Sequence, residues 1–212
     1  MKVLIVSGGE KPSKELLKKV TKGCNLIIGV DHGCDVLAEQ DIIPSYIVGD
    51  FDSADGNNVK YLEERGSIKI KYNSEKDFTD SEIALNLAIN EGANEIIFLG
   101  VTGTRLDHTF GNIGLILKAL EKNINATIVN ENNKILLLNK NSSLKQDNYY
   151  KYISFLAYRD TVENFFIKGA KYNLDDYTLK VGDSRTVSNE FLDEDIYVSF
   201  NEGILLVIYS KD

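Results

Sequence analysis

The chain has 212 residues, 43% hydrophobic and 26% charged, the length and composition of one large or two small globular domains. Its formal net charge of -8 argues against a nucleic-acid partner, which phosphate-binding proteins meet with an excess of Lys and Arg. No apolar run approaches the ~20 residues of a membrane span, so neither nucleic acid nor membrane is an expected partner.

The opening MKVLIVSGGE reads as a strand rather than a signal peptide. Cys24 and Cys34 show neither a metal-ligand spacing nor a disulfide framework, so a reducing, cytoplasmic setting is expected. From here strand and helix signals alternate. Short apolar runs predict strands at Val3–Val6, Leu26–Val30, Tyr46–Val48, Ile68–Tyr72, Glu95–Val101 and Ala126–Asn130. Most lack strict alternation, as strands covered on both faces do. Helix-like stretches fall at Ser13–Lys22, Asp35–Glu39, Val59–Glu64, Ser81–Glu91 and Thr109–Lys122. Thr79 and Glu82, three apart, form a capping-box pattern before the fourth of these. The βαβα order predicts a Rossmann-like, mostly parallel sheet with helices on both faces.

After about Asn130 the pattern changes. Runs rich in β-branched and aromatic residues lie at Lys134–Leu138, Tyr152–Ala157, Val162–Lys168, Tyr177–Val181, Ile196–Phe200 and Gly203–Tyr209, separated by turn residues. They predict antiparallel β structure, a small sandwich or barrel. The expected domains are therefore 1–131, α/β, and 132–212, a β-sandwich.

Carboxylates recur just beyond the predicted strand ends: Asp31, Asp50, Asp52, Asp77, Asp80 and Asp107. In a parallel sheet those ends share the edge where ligands bind. Carboxylates gathered there repel one another unless cations neutralise them. Asp50 and Asp52 in Gly49-Asp50-Phe51-Asp52-Ser53 can both reach one hard cation. Asp77 and Asp80 stand three apart at a helix start, where capping alone explains Thr79 and Asp80 but not Asp77. In Gly100-Val101-Thr102-Gly103-Thr104-Arg105-Leu106-Asp107-His108 the glycines permit a tight phosphate-binding loop, and Arg105 offers a forked cation. Asp107 there has three open roles: holding metal, orienting Arg105 or capping the next helix. No Walker A loop follows, and Ser7-Gly8-Gly9 completes no dinucleotide fingerprint.

These segments, with Asn112 and with Ser188-Asn189-Glu190 in the second domain, resemble the bacterial type of thiamine pyrophosphokinase, and their order spans most of the chain. The resemblance implies an ATP-binding catalytic domain, then a thiamine-binding β-sandwich, in a homodimer that holds thiamine between subunits. It implies Mg²⁺-dependent transfer of the pyrophosphoryl group of ATP to the thiamine hydroxyl, leaving AMP. Asp50, Asp52 and Asp77 would bind Mg²⁺, with Asp31 and Asp80 close by. Asp80 or Asp77 is also a candidate proton acceptor. Arg105, Asp107, Gly100, Gly103, His108 and Asn112 would meet the nucleotide, and Ser188 and Asn189 the vitamin. His32 stands where the family commonly has a small residue, and the chain lacks Trp, so Phe191, Tyr197 or another aromatic would have to face thiamine. Two other readings are a DxD-type nucleotide-sugar transferase, which leaves Asp77, Asp80 and the Arg105 loop without a role, and a non-catalytic nucleotide or thiamine sensor.

Overall fold

The computed structural model describes residues 1–72 and 78–212. It is a mixed α/β protein whose chain divides into two compact units, Met1–Glu131 and Asn132–Asp212.

In the first unit, strands β1 (Lys2–Val6), β2 (Leu26–Val30), β3 (Tyr46–Gly49), β4 (Ile68–Lys71), β5 (Glu95–Leu99) and β6 (Asn125–Val129) alternate with helices α1 (Lys14–Thr21), α2 (Gly33–Ala38), α3 (Gly56–Glu64), α4 (Asp80–Asn90) and α5 (Leu106–Glu121). The strands pair in parallel in the order β4-β3-β2-β1-β5-β6. Val3, Leu4, Ile5 and Val6 are all fully buried. Successive strand residues point to opposite faces, so both faces of β1 are covered. Leu4 and Val6 pack with Leu16 and Leu17 of α1 and Val36 and Leu37 of α2. Helix α4 lies against β1, β2 and β3. Strand β4 departs from the two-faced expectation: it is the edge strand, and Ile68 is exposed. Its Ile-Lys-Ile-Lys sequence places charge along the margin of the sheet, which discourages pairing with another chain.

Side chains mark the helix starts. Ser13 accepts the Leu16 N–H at 3.1 Å, and Asp55 accepts the Asn57 N–H at 2.8 Å. Thr79 accepts the Glu82 N–H at 3.3 Å, one half of the predicted capping box. The Glu82 carboxylate instead accepts from Lys118 Nζ, which ties α4 to α5.

The second unit holds β7 (Asn133–Leu138), β8 (Ser142–Leu144), β9 (Tyr152–Lys168), β10 (Leu174–Leu179), β11 (Ile196–Ser199) and β12 (Glu202–Ser210). All its pairings are antiparallel: β12 with β7 and β9, β9 with β10 and β11, and β11 with β8. Phe155, Phe165, Val162, Leu179, Val198 and Val207 fill the core between them. The runs Tyr152–Ala157 and Val162–Lys168, expected as separate strands, are one strand of 17 residues. The polar Arg159-Asp160 pair interrupts its apolar pattern, and Arg159 and Asn164 take left-handed backbone, φ 70 and 51. Around these bends β9 shifts its pairing from β12 towards β10 and β11. Strand β8 gave no signal in the sequence, because Ser142-Ser143-Leu144 is too short to show a period.

Candidate active site

The strand order reverses direction at β1, which has β2 on one side and β5 on the other. In open α/β sheets the crevice at such a point, beyond the strand C-termini, binds ligands. Here backbone lines it closely. Past β1 and β5, Ser7 N donates to Leu99 O at 2.9 Å, Gly9 N to Gly100 O at 2.6 Å and Glu10 N to Thr102 O at 2.7 Å. Gly100 has φ 64, and a Cβ there would fall 2.2 Å from Ser7 O, so a side chain would split the two segments. Gly103 is different: its added Cβ would find nothing nearer than 3.5 Å. Ser7 Oγ also sits 3.0 Å from Ser81 Oγ, which ties the start of α4 to the end of β1.

Asp31 follows β2 with φ 45, and its N–H donates to Val48 O at 3.1 Å. Its carboxylate lies over Gly49, where an added Cβ would stand 1.9 Å from Oδ1. Asp31 and the Asp50 turn are thereby brought together. In that turn Asp52 N donates to Asp50 Oδ1 at 3.0 Å. Phe51, at φ 62, packs inward with Ala54 against Cys34, Ile47, Val59 and Leu62. With the aromatic anchored inward, the flanking aspartates are left half-buried (Asp50) and exposed (Asp52). Burial, and then the charges of Asp31 and Asp35, push the Cys34 thiol up to about 12, so this cysteine is not a nucleophile. Asp80 is half-buried in the first turn of α4. Asp77 lies outside the described residues.

Across the crevice Arg105 and Asp107 form a two-pronged pair: Nε donates to Oδ1 at 3.2 Å and Nη2 to Oδ2 at 2.6 Å. The guanidinium holds the Asp107 carboxyl down at about 2. Asp107 is thus paired with Arg105 at the start of α5. Arg105 itself occupies the N-cap of α5 without a side-chain cap bond. Asn112 donates from Nδ2 to Val101 O at 2.7 Å, so its amide pins the loop. His108 is exposed in the first turn of α5. Among the described residues no three His, Cys, Asp or Glu side chains cluster closely enough to hold a metal by themselves.

Sequence reasoning passed over Asp35. Its carboxylate takes His32 Nδ1 at 2.9 Å, Asp55 N at 3.1 Å and Asn58 Nδ2 at 2.9 Å. Nothing in the sequence distinguishes it from an ordinary acidic residue in the first turn of a helix.

In the second unit Asn189 is buried, and its amide is spent on backbone. Oδ1 accepts from Tyr172 N at 3.0 Å and from Glu190 N at 2.9 Å, while Nδ2 donates to Tyr172 O at 2.7 Å. Its own backbone exchanges hydrogen bonds with Ile153. Neighbouring Ser188 is exposed, at φ 60, with its N–H on Ser154 Oγ at 2.9 Å. Asn189 thus shapes the turn, while Ser188 and the exposed Tyr172 are the groups turned to solvent. Of the aromatics singled out in the sequence, Phe191 stacks on Tyr209 at 5.8 Å and Tyr197 is exposed. Asn189→Ala strands the Tyr172 N–H and C=O, so a loss of about 1–3 kcal/mol is expected in urea unfolding of this unit. An unchanged midpoint would show that the clamp is not needed.

The chain is similar to known proteins over nearly its whole length. Residues 17–128 match the family described as thiamin pyrophosphokinase, catalytic domain, and residues 141–205 the vitamin B1 binding domain of the same family. The chain is 33% identical over 209 residues to the thiamine pyrophosphokinase of Bacillus subtilis (strain 168), covering 98% of each. It superposes on a crystal structure of the Bacillus subtilis protein with a TM-score of 0.91 and 32% identity, over 100% of both chains. For a Geobacillus thermodenitrificans thiamin pyrophosphokinase structure the TM-score is 0.86 at 33% identity, over 100% of this chain and 98% of that one. The chain therefore belongs to the thiamine pyrophosphokinase family.

Proposed function

We propose that the carboxyl edge of the parallel sheet is where this enzyme holds Mg²⁺–ATP while the pyrophosphoryl group passes to thiamine. The family's reaction is attack of the thiamine hydroxyl oxygen on the β-phosphorus of ATP, with AMP leaving, and this chain is an enzyme of that kind. The observation that carries the site assignment is the seating of the Asp31 carboxylate on Gly49, which packs the loop after β2 against the Asp50–Asp52 turn.

The donors suit magnesium. They are hard carboxylate oxygens, and Mg²⁺ commonly takes one or two carboxylates, several waters and the substrate's phosphates rather than a full protein cage. Asp50 and Asp52 would hold it, with Asp77. When bound, Mg²⁺ neutralises triphosphate charge and fixes the in-line geometry. Arg105 meets the phosphates through Nη1 and the second N–H of Nη2, because Nε–H and one N–H of Nη2 are engaged by Asp107. The hydroxyl proton passes to a carboxylate of the same edge, Asp80 or Asp77. The acidic edge also attracts the cationic thiazolium ring.

The finer architecture belongs to the same reading: a Rossmann-like nucleotide domain and a β-sandwich that contributes to the vitamin site through Ser188 and its neighbours. So does a homodimer. Leu106 and Phe110, one turn apart on α5, are 65% and 70% exposed, apolar surface that a second subunit would cover. A cytoplasmic setting fits two free thiols. No helix among the described residues is long and apolar enough to cross a membrane.

The test is incubation with ATP, Mg²⁺ and thiamine, with products separated by chromatography. AMP and thiamine diphosphate should appear in equal amounts, and chelation should stop both. Turnover that survives chelation, or ADP in place of AMP, contradicts the reading.

A further inference from the structure

We propose that Asp35 is a positioning residue for the Asp50–Asp52 turn. The inference rests on the reading that this turn holds the metal. Asp35 lies in α2, and its side chain is 15% exposed. Three donors converge on it, one from the N-cap of its own helix and two from the start of α3. His32 Nδ1 reaches Oδ2 at 2.9 Å. An ionised carboxylate only accepts, so that ring nitrogen carries the proton. Asn58 Nδ2, from the first turn of α3, reaches Oδ1 at 2.9 Å. The Asp55 N–H straddles the two oxygens, at 3.1 and 3.3 Å.

Asp55 is the N-cap of α3, so its N–H points away from the helix and needs an acceptor elsewhere. Asp35 is that acceptor. The near end of the turn is held by the Asp50–Asp52 bond and by Phe51 in its apolar seat. Asp35 holds the far end. Between the two anchors only Ser53 and Ala54 remain, and Ala54 packs against the same apolar cluster as Phe51. The metal-facing aspartates therefore sit on a turn tied down at both ends.

The choice of a carboxylate follows from the arrangement of donors. Both oxygens accept, one from Asn58 and the other from His32, with Asp55 shared. An amide has one acceptor oxygen and would turn its NH₂ towards the proton on His32.

The experiment uses the full chain with Asp35→Ala and Asp35→Asn, and Asp52→Asn as the reference. Hydrogen exchange is followed without ligands, and turnover is titrated with Mg²⁺. In Asp35→Ala the amides of Asp52–Asn57 should lose protection while those of β1 and β5 keep theirs. The Mg²⁺ concentration for half-maximal turnover should rise about 10–100-fold, the usual cost of removing a group that orients a metal ligand. The KM for thiamine should move much less. Asp35→Asn keeps one acceptor for Asp55 and Asn58 and should fall between Asp35→Ala and the natural enzyme. Natural exchange and Mg²⁺ dependence in Asp35→Ala, beside an inactive Asp52→Asn, overturns the role of Asp35 alone. Uniform loss of protection, β1 and β5 included, in both Asp35 variants overturns it too, since Asp35 would then serve the fold as a whole. Full activity in Asp52→Asn removes the metal reading itself.

Discussion

Asp52→Asn is expected to leave the enzyme folded and to cost it about 100-fold or more of its magnesium-dependent turnover, the scale seen when one electrostatic partner of a reacting oxyanion is lost. The substitution is nearly isosteric. Asp52 is exposed and makes its turn hydrogen bond through the backbone N–H, so Asn preserves the local geometry. What changes is charge. An amide oxygen is a weaker ligand for Mg²⁺ than a carboxylate, and one negative charge disappears from an edge that balances the metal and the triphosphate. Thermal unfolding should match that of the natural chain within the small range of surface substitutions. A folded Asp52→Asn enzyme with near-normal turnover would show that the turn is only a turn.

Gly49→Ala should be nearly as severe for a different reason. A methyl group at this position would stand 1.9 Å from Asp31 Oδ1, far inside contact distance, with backbone at φ 152 that L-residues rarely adopt. Either the Asp31 carboxylate swings away or the β3 end moves, and Asp50 moves with it. Strained backbone of this kind costs about 1–3 kcal/mol. The displacement of the carboxylates should cost about 100-fold in kcat, since misplacements near 1 Å have effects of that order. Gly114→Ala is the control. It lies in α5, an added Cβ meets nothing within 4 Å, and alanine favours the helix. Gly114→Ala should melt no lower and turn over normally, while Gly49→Ala should melt lower and turn over slowly. Equal behaviour of the two would mean that Gly49 is not shaped by Asp31.

The parallel sheet was legible because its strands are short apolar runs punctuated by Gly and Asp. The six parallel strands and the helices between them fall within a few residues of their expected places. One boundary moved at a side-chain cap. Helix α3 begins at Gly56 rather than Val59, because Asp55 caps it through the Asn57 N–H. In the second unit long-range pairing decides the elements. Arg159 and Asn164 read locally as a loop, yet the strand continues through them with bent backbone. The acidic edge was visible as a recurrence of Asp after strands. Its internal wiring was not. That Asn112 serves Val101 O, that Asn189 serves Tyr172, and that Asp35 gathers His32, Asp55 and Asn58 are contacts set by the fold, and the same residue types in the same spacing are compatible with solvent-facing side chains.

The most direct measurement replaces magnesium with Mn²⁺ in the presence of a non-hydrolysable ATP analogue and follows paramagnetic broadening of the backbone amides. Broadening centred on Asp31, Asp50, Asp52 and Asp80, weaker at Arg105 and lost in Asp52→Asn, is the predicted result. Broadening centred elsewhere, or unchanged by Asp52→Asn, would contradict the proposal that these strand-end carboxylates gather the metal and its nucleotide.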